Sequence, residues 1–230
     1  TNFKESVSFA AFTPDNKQVY AVTNLGRDKV ALVLMDPATC EEIEQLYVND
    51  KYDLDNIWYS DAQKKLLGVS YTGHKGTARH FFDKATGEMF GRMEKHLRGY
   101  AIGIAGSNKA EDKYIVYAGG DRTMGAYYFY DVKSDTMTKL ADLAPWIDEQ
   151  QMAEMTPVTY TSRDGLEIEG YLTLPVGKTL HNAKNLPVVV NPHGGPWARD
   201  YWGFNPEAQF LANRGYACLL YTSDAADEED

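Results

Sequence analysis

Leu186-Pro-Val-Val-Val190 runs directly into Asn191-Pro-His-Gly-Gly-Pro196, and the reading of this stretch decides the fold. Its first five residues form an unbroken apolar run, the composition of a strand covered on both faces, as strands of a parallel sheet are. The loop continues as Trp197-Ala-Arg-Asp-Tyr-Trp-Gly203. Beyond it, Pro206 to Arg214 carries Ala208, Phe210, Leu211 and Ala212 at positions that suit a helix, with Gly215 at the C-cap. Strand, loop and helix in that order make one α/β unit.

Upstream, Val158-Thr-Tyr-Thr-Ser162 and Leu166 to Leu174 flank the turn Arg163-Asp-Gly165 and predict a hairpin. In its second strand Leu166, Ile168, Leu172 and Leu174 alternate with Glu167, Glu169, Tyr171 and Thr173, the period of two of a half-buried strand with one side to water. Before residue 150 the pattern is repetitive. Asp36, Asp83 and Asp131 recur at spacings of 47 and 48 residues. Each follows a strong strand pattern: Ala31-Leu-Val-Leu-Met35, His80-Phe-Phe82 and Ala126-Tyr-Tyr-Phe-Tyr130. Each is preceded by another, Val19 to Thr23, Leu66 to Tyr71 and Tyr114 to Tyr117. A repeat of this length built from short β-branched and aromatic strands predicts propeller blades. The recurring Asp needs no chemical role, because its carboxylate can bind backbone N–H groups just downstream and start a turn. Three blades do not close a ring of about 4 to 8, so further blades are expected before Thr1. Pro145-Trp-Ile147 and the Met-rich stretch 150–155 read as a short helix or connector.

The expected architecture is therefore a partial β-propeller of about three blades over residues 1–150, followed by the N-terminal part of an α/β-hydrolase domain over 151–217. In α/β-hydrolases, HGG-type loops after the third strand supply a backbone N–H to the oxyanion hole. Glycine suits that task, since a Cβ would crowd the reacting carbonyl or forbid the turn. Gly195 is the first choice of donor and Gly194 the second; Pro196 has no N–H. A tight Gly/Pro turn with no chemistry is the alternative reading of the same residues.

Asp164-Gly165, Gly170-Tyr-Leu172, Leu174-Pro175, Val188 to Pro196 and Gln209-Phe-Leu-Ala-Asn-Arg-Gly-Tyr-Ala217 together resemble the opening of the catalytic domain of the prolyl oligopeptidase (S9) family, in its acylaminoacyl-peptidase-like branch. The resemblance covers residues 156 to 217 closely; upstream it is one of architecture only. It implies a serine peptidase of short peptides whose propeller caps the active site and excludes folded proteins. His193, Trp197, Arg199 and Trp202 become candidates for lining the substrate site, Arg199 by pairing with a peptide carboxylate. For the two tryptophans and Arg199, packing beneath the propeller is the competing role. His193 is expected to bond within its own loop, because the family's catalytic base comes last in the chain.

The hydrolase triad runs Ser, Asp, His, with the Ser in a GxSxG turn after the oxyanion loop, and no such Ser occurs in these 230 residues. Gly68-Val-Ser-Tyr-Thr-Gly73 has its second glycine displaced by one residue, and Ser70 reads as a blade residue. The chain alone is expected to be inert. His74, His80, His96 and His181 show no ligand spacing and are expected to be solvated or locally satisfied. Cys40 and Cys218 are too few for a disulfide framework, and neither a metal nor a cofactor is expected.

A net charge of -10 argues against a nucleic-acid partner. No apolar run approaches the ~20 residues of a membrane-spanning helix. Thr1 to Thr13 lacks the basic start and apolar core of a leader, and the natural N-terminus is expected to precede Thr1. After Ala217 the resemblance calls for a Val-rich strand and a Gly-rich turn. Cys218-Leu-Leu-Tyr-Thr-Ser-Asp-Ala-Ala-Asp-Glu-Glu-Asp230 departs from it, so residues 218–230 are expected to be an artefactual tail. Two other functions share parts of this pattern: an esterase of the same hydrolase fold, and a non-catalytic propeller that binds a partner. Unpaired sheet edges predict self-association of the chain as written.

Overall fold

The structure, a computed structural model, describes residues 5–194 and 199–221. Its residues fall into two compact units: Thr1–Gly73, Thr77–His96 and Ser107–Lys113 in one, and His74–Gly76, Leu97–Gly106 and Tyr114–Asp230 in the other.

The first unit begins with an antiparallel sheet, β1 (Val7–Phe12), β2 (Val19–Thr23), β3 (Ala31–Met35) and β4 (Glu42–Tyr47), paired in that order. Its β2 and β3 have the predicted bounds. Val19, Ala21, Ala31, Val33 and Met35 form a core on one side. On the other, Leu32 packs with Leu54 and Val69 of the next sheet, so β3 is covered on both faces. Each such aliphatic side chain contributes about 1.5–3 kcal/mol by leaving water. That next sheet holds β5 (Leu54–Ser60), β6 (Lys65–Gly73) and β7 (Gly76–Phe81).

The sequence places a turn at Asp83-Lys-Ala-Thr-Gly87; the chain instead enters a helix, α1 (Lys84–His96). The aspartate performs the expected local bonding, with its Oδ2 accepting from the Thr86 N–H at 2.9 Å and the Thr86 hydroxyl at 2.7 Å. Such bonds begin a helix as readily as a turn. Here the helix wins because Met89, Phe90 and Met93 recur on one stripe, and Phe90 buries its ring against Trp58 and Phe81. At Asp36 and Asp131 the plain turn forms as expected. Their Oδ1 atoms accept from Ala38 and Thr39 and from Lys133 and Ser134 respectively.

Lys65 and Thr86 hydrogen-bond the Asp83 carboxylate and lower its pKa to about 2. Because the folded value lies below the ordinary ~3.9, Asp83 contributes stability above about pH 4 that is lost as the pH falls towards about 2. An acid-unfolding titration of Asp83→Asn is expected to show a shallower slope in that window than the unsubstituted protein; identical slopes would contradict this role.

The second unit opens with β8 (Ala101–Ser107), β9 (Lys113–Gly119), β10 (Ala126–Asp131) and β11 (Thr136–Asp142), an antiparallel sheet ordered β11-β10-β9-β8. The predicted connector is a 3₁₀ turn at Glu149–Gln151, capped by the Asp148 carboxylate. The chain then builds a mixed sheet from β12 (Met155–Thr161), β13 (Glu167–Thr173), β14 (Val188–Pro192) and β15 (Ala217–Tyr221), ordered β12-β13-β15-β14, with α2 (Pro206–Asn213) between the last two strands. Here β14 and β15 run parallel, the arrangement expected of the strand, loop and helix order. The helix has Asn205 as N-cap and ends before Gly215, which adopts a φ of +87°.

Two burial expectations are corrected. The β14 run is not covered on both faces: β14 has β15 as its one neighbour among the described residues, and Val188 and Val190 are 56% and 53% exposed. In β13 the buried side is the polar set, not the aliphatic one. Tyr171 and Thr173 are 3% and 0% exposed, because Tyr171 packs with Ala208 of α2 and with Cys218 and Leu220 of β15. Leu166, on the other side, is 49% exposed.

The β15 strand extends through Cys218 to Tyr221, with Cys218 and Leu220 in the core. Burial pushes the Cys218 thiol pKa up, so it behaves as a small apolar group.

Candidate functional site

The HGGP loop leaves the carboxyl end of β14, which is where open α/β sheets hold their ligands. Register fixes its start: Pro192 lies level with Tyr221 of β15, and the His193 N–H donates to the Tyr221 carbonyl at 2.8 Å. His193 therefore enters the loop with its backbone anchored. Its Nδ1 lies 3.4 Å from the Asp200 carboxylate, bonding within its own loop as expected. One strand position earlier, Asn191 donates to Glu207 in the first turn of α2 at 3.2 Å.

Gly194 is exposed, and a Cβ added there would meet nothing within 4 Å. Packing against the described residues therefore does not demand a glycine at this position. Gly195 and Trp197, with Pro196 and Ala198, lie outside the described residues.

Arg199 turns towards β13, with its Nη2 4.0 Å from Glu169 Oε2 and its guanidinium 5.6 Å from the Tyr201 ring centre. Trp202 is anchored by its indole N–H, which donates to the Met155 carbonyl at 2.8 Å, and it packs against the Met155, Tyr171, Ala208, Cys218 and Leu220 cluster. It also lines a cavity of about 470 Å³ with Lys75, Tyr100, Asp121, Arg122 and Glu154. The structure thus brings His193 and Arg199 to the rim marked by Tyr221, whereas Trp202 bonds Met155, which lies level with Thr173 and Cys218 towards the other end of the sheet.

Two residues escaped the sequence reading. His74, expected to be solvated or locally satisfied, has its Nε2 buried without a hydrogen-bond partner among the described residues, 3.7 Å from Glu169. Gln209 spans α2, the connector and the β9–β10 turn. Its side chain accepts from the Ala153 N–H at 2.8 Å and donates to the carbonyls of Ala153 and Asp121 at 2.8 and 2.9 Å. A polar residue at a helix position flanked by Ala208 and Phe210 was the available signal. Ser70 lies inside β6 opposite Asn56, as its reading as a sheet residue anticipates. Among the described residues no three His, Cys, Asp or Glu side chains are grouped to hold a metal ion.

No family profile matches the chain. Over 225 residues it is 30% identical to dipeptidyl aminopeptidase BIII of Pseudoxanthomonas mexicana, a match that covers 93% of this chain and 31% of that protein. A puromycin-hydrolyzing peptidase of Mycobacterium tuberculosis superimposes with a TM-score of 0.67 at 14% identity, covering 97% of this chain and 35% of that one. A prolyl endopeptidase structure superimposes with a TM-score of 0.66 at 14% identity, covering 96% and 32%. The chain spans about a third of the length of the relatives it matches. Sequence kinship with a dipeptidyl aminopeptidase and a fold shared with prolyl endopeptidases support the resemblance to the prolyl oligopeptidase (S9) family.

Proposed function

We propose that these residues are part of a serine peptidase that hydrolyses short peptides through an acyl-enzyme. In this reading the three antiparallel sheets of residues 1–150 are propeller blades, one with α1 in place of its outer strand. Residues 151–217 open the α/β-hydrolase domain, and 218–230 are extraneous to the parent protein. The observation that carries the proposal is the HGGP loop leaving the carboxyl end of β14 and returning through α2 to the parallel β15.

In the reaction, a serine oxygen attacks the peptide carbonyl and negative charge develops on the carbonyl oxygen. Backbone N–H groups of Gly195 and Gly194 would hold that charge, and one such donor is worth about 10²–10³ in kcat. The leaving amine takes a proton and departs, and water then releases the acyl group. His193, held by Asp200, shapes the loop; Trp197, Arg199 and Trp202 border the substrate. No cofactor enters the scheme, and these 230 residues, without a triad, are proposed to be inert alone.

The kinship with a dipeptidyl aminopeptidase favours release of dipeptides. The full-length protein is expected to liberate p-nitroaniline from dipeptidyl p-nitroanilides. Hydrolysis of p-nitrophenyl esters alone would support an esterase instead, and no turnover of either would support a binding role.

A further inference from the structure

Glu169, Tyr171 and Thr173 alternate along β13 and share the face on which α2 packs, since Tyr171 and Thr173 lie opposite Leu220 and Cys218 of the same core. That face carries buried polar atoms where a packing surface would be apolar. Among the described residues, the Tyr171 hydroxyl, the Thr173 hydroxyl and His74 Nε2 are all buried without a hydrogen-bond partner. Unpaired buried groups of this kind are destabilising and call for a reason.

For His74 its position supplies one. Gly170 of β13 and Pro192 of β14 both lie level with Tyr221, so Glu169 and His193 are each the next residue beyond that level, at the same rim. Glu169 Oε2 then faces two cationic or ionisable groups from different segments: His74 at 3.7 Å, from the turn between β6 and β7, and Arg199 at 4.0 Å, from the loop that follows β14. All three side chains are less than a third exposed, 22% for Glu169, 30% for Arg199 and 32% for His74, so solvent screens the carboxylate only in part.

Resting on the peptidase reading above, we propose that Glu169 is a positioning residue: its carboxylate draws Arg199 to β13 and so fixes the loop that leaves β14. His74 supplies the second contact that keeps the carboxylate turned to that rim. Glu169 touches no reacting atom in this scheme and acts through Arg199. Displacing a reacting geometry by about 1 Å costs about 10²-fold in rate, so the effect belongs in kcat.

The test uses the full-length protein with Glu169→Gln, Arg199→Met and the pair together. Hydrogen exchange of the amides at 199–203 is expected to quicken several-fold in each variant, with the α2 amides 209–213 unchanged. With a dipeptidyl p-nitroanilide, kcat of Glu169→Gln, which leaves the substrate-bordering Arg199 in place, is expected to fall by about 10–100-fold while KM stays within about threefold. The double variant should be no worse than either single one, because both remove the same contact. Should Glu169→Gln not fold, Arg199→Met breaks the contact from the more exposed end and reports on the same amides. Unchanged exchange at 199–203 overturns the proposal whatever the activity, as does a wild-type kcat in a variant whose exchange has quickened. Faster exchange in a protein that never cleaves peptides supports the anchor and overturns the peptidase reading instead.

Discussion

Gln209→Leu is expected to lower stability by about 3–5 kcal/mol, because it strands the N–H and C=O of Ala153 and the C=O of Asp121 at once, each a loss of about 1–3 kcal/mol. Gln209 is 7% exposed, so water does not replace the three bonds cheaply. Leucine has a similar volume, which confines the change to hydrogen bonding. Gln209→Glu is expected to be at least as damaging. A carboxylate still accepts from Ala153 N–H, but it faces two carbonyl oxygens that the amide nitrogen now bonds. In a urea titration at low protein concentration the midpoint is expected to fall by roughly 1–2 M. A midpoint within about 0.3 M of the unsubstituted protein would mean that these bonds add nothing to the fold.

Trp202→Ala is expected to cost about 3–4 kcal/mol, combining the lost packing of a large ring with a stranded Met155 carbonyl. Trp202→Phe keeps most of the ring and loses only the indole N–H, so about 1 kcal/mol is expected. The ratio is the informative quantity. Equal losses in the two variants would show that the hydrogen bond, not the packing against Met155 and Tyr171, holds this side chain. Both variants are read by the same urea titration, followed by far-ultraviolet circular dichroism because the substitution removes a fluorophore.

Local rules were legible where one segment settles its own structure. The bounds of β2 and β3, the turns at Asp36 and Asp131, the hairpin around Gly165 and the capped helix α2 all follow from patterns within a few residues. The failures lie where a distant neighbour decides. Asp83 makes the same side-chain bonds in front of a turn or a helix, and the outcome was set by Phe90 finding Trp58 and Phe81. Alternation along β13 gives the period of two but not which side is covered; α2 covers the Tyr171 side through Ala208. A long apolar run marks a strand able to be buried, whereas burial itself needs neighbours on both sides, and β14 has one among the described residues. At the site, the HGGP motif marked the carboxyl end of β14, but the approach of His74 and Arg199 to Glu169 depends on three segments far apart in sequence.

We propose that this chain is part of a serine peptidase whose nucleophile lies beyond α2. The most direct test is to label the full-length protein with a fluorophosphonate and map the modified residue by mass spectrometry. The account predicts a single labelled Ser in a GxSxG turn downstream of Ala217. A folded full-length protein that takes no label, or takes it at a serine within these residues such as Ser70, would contradict it.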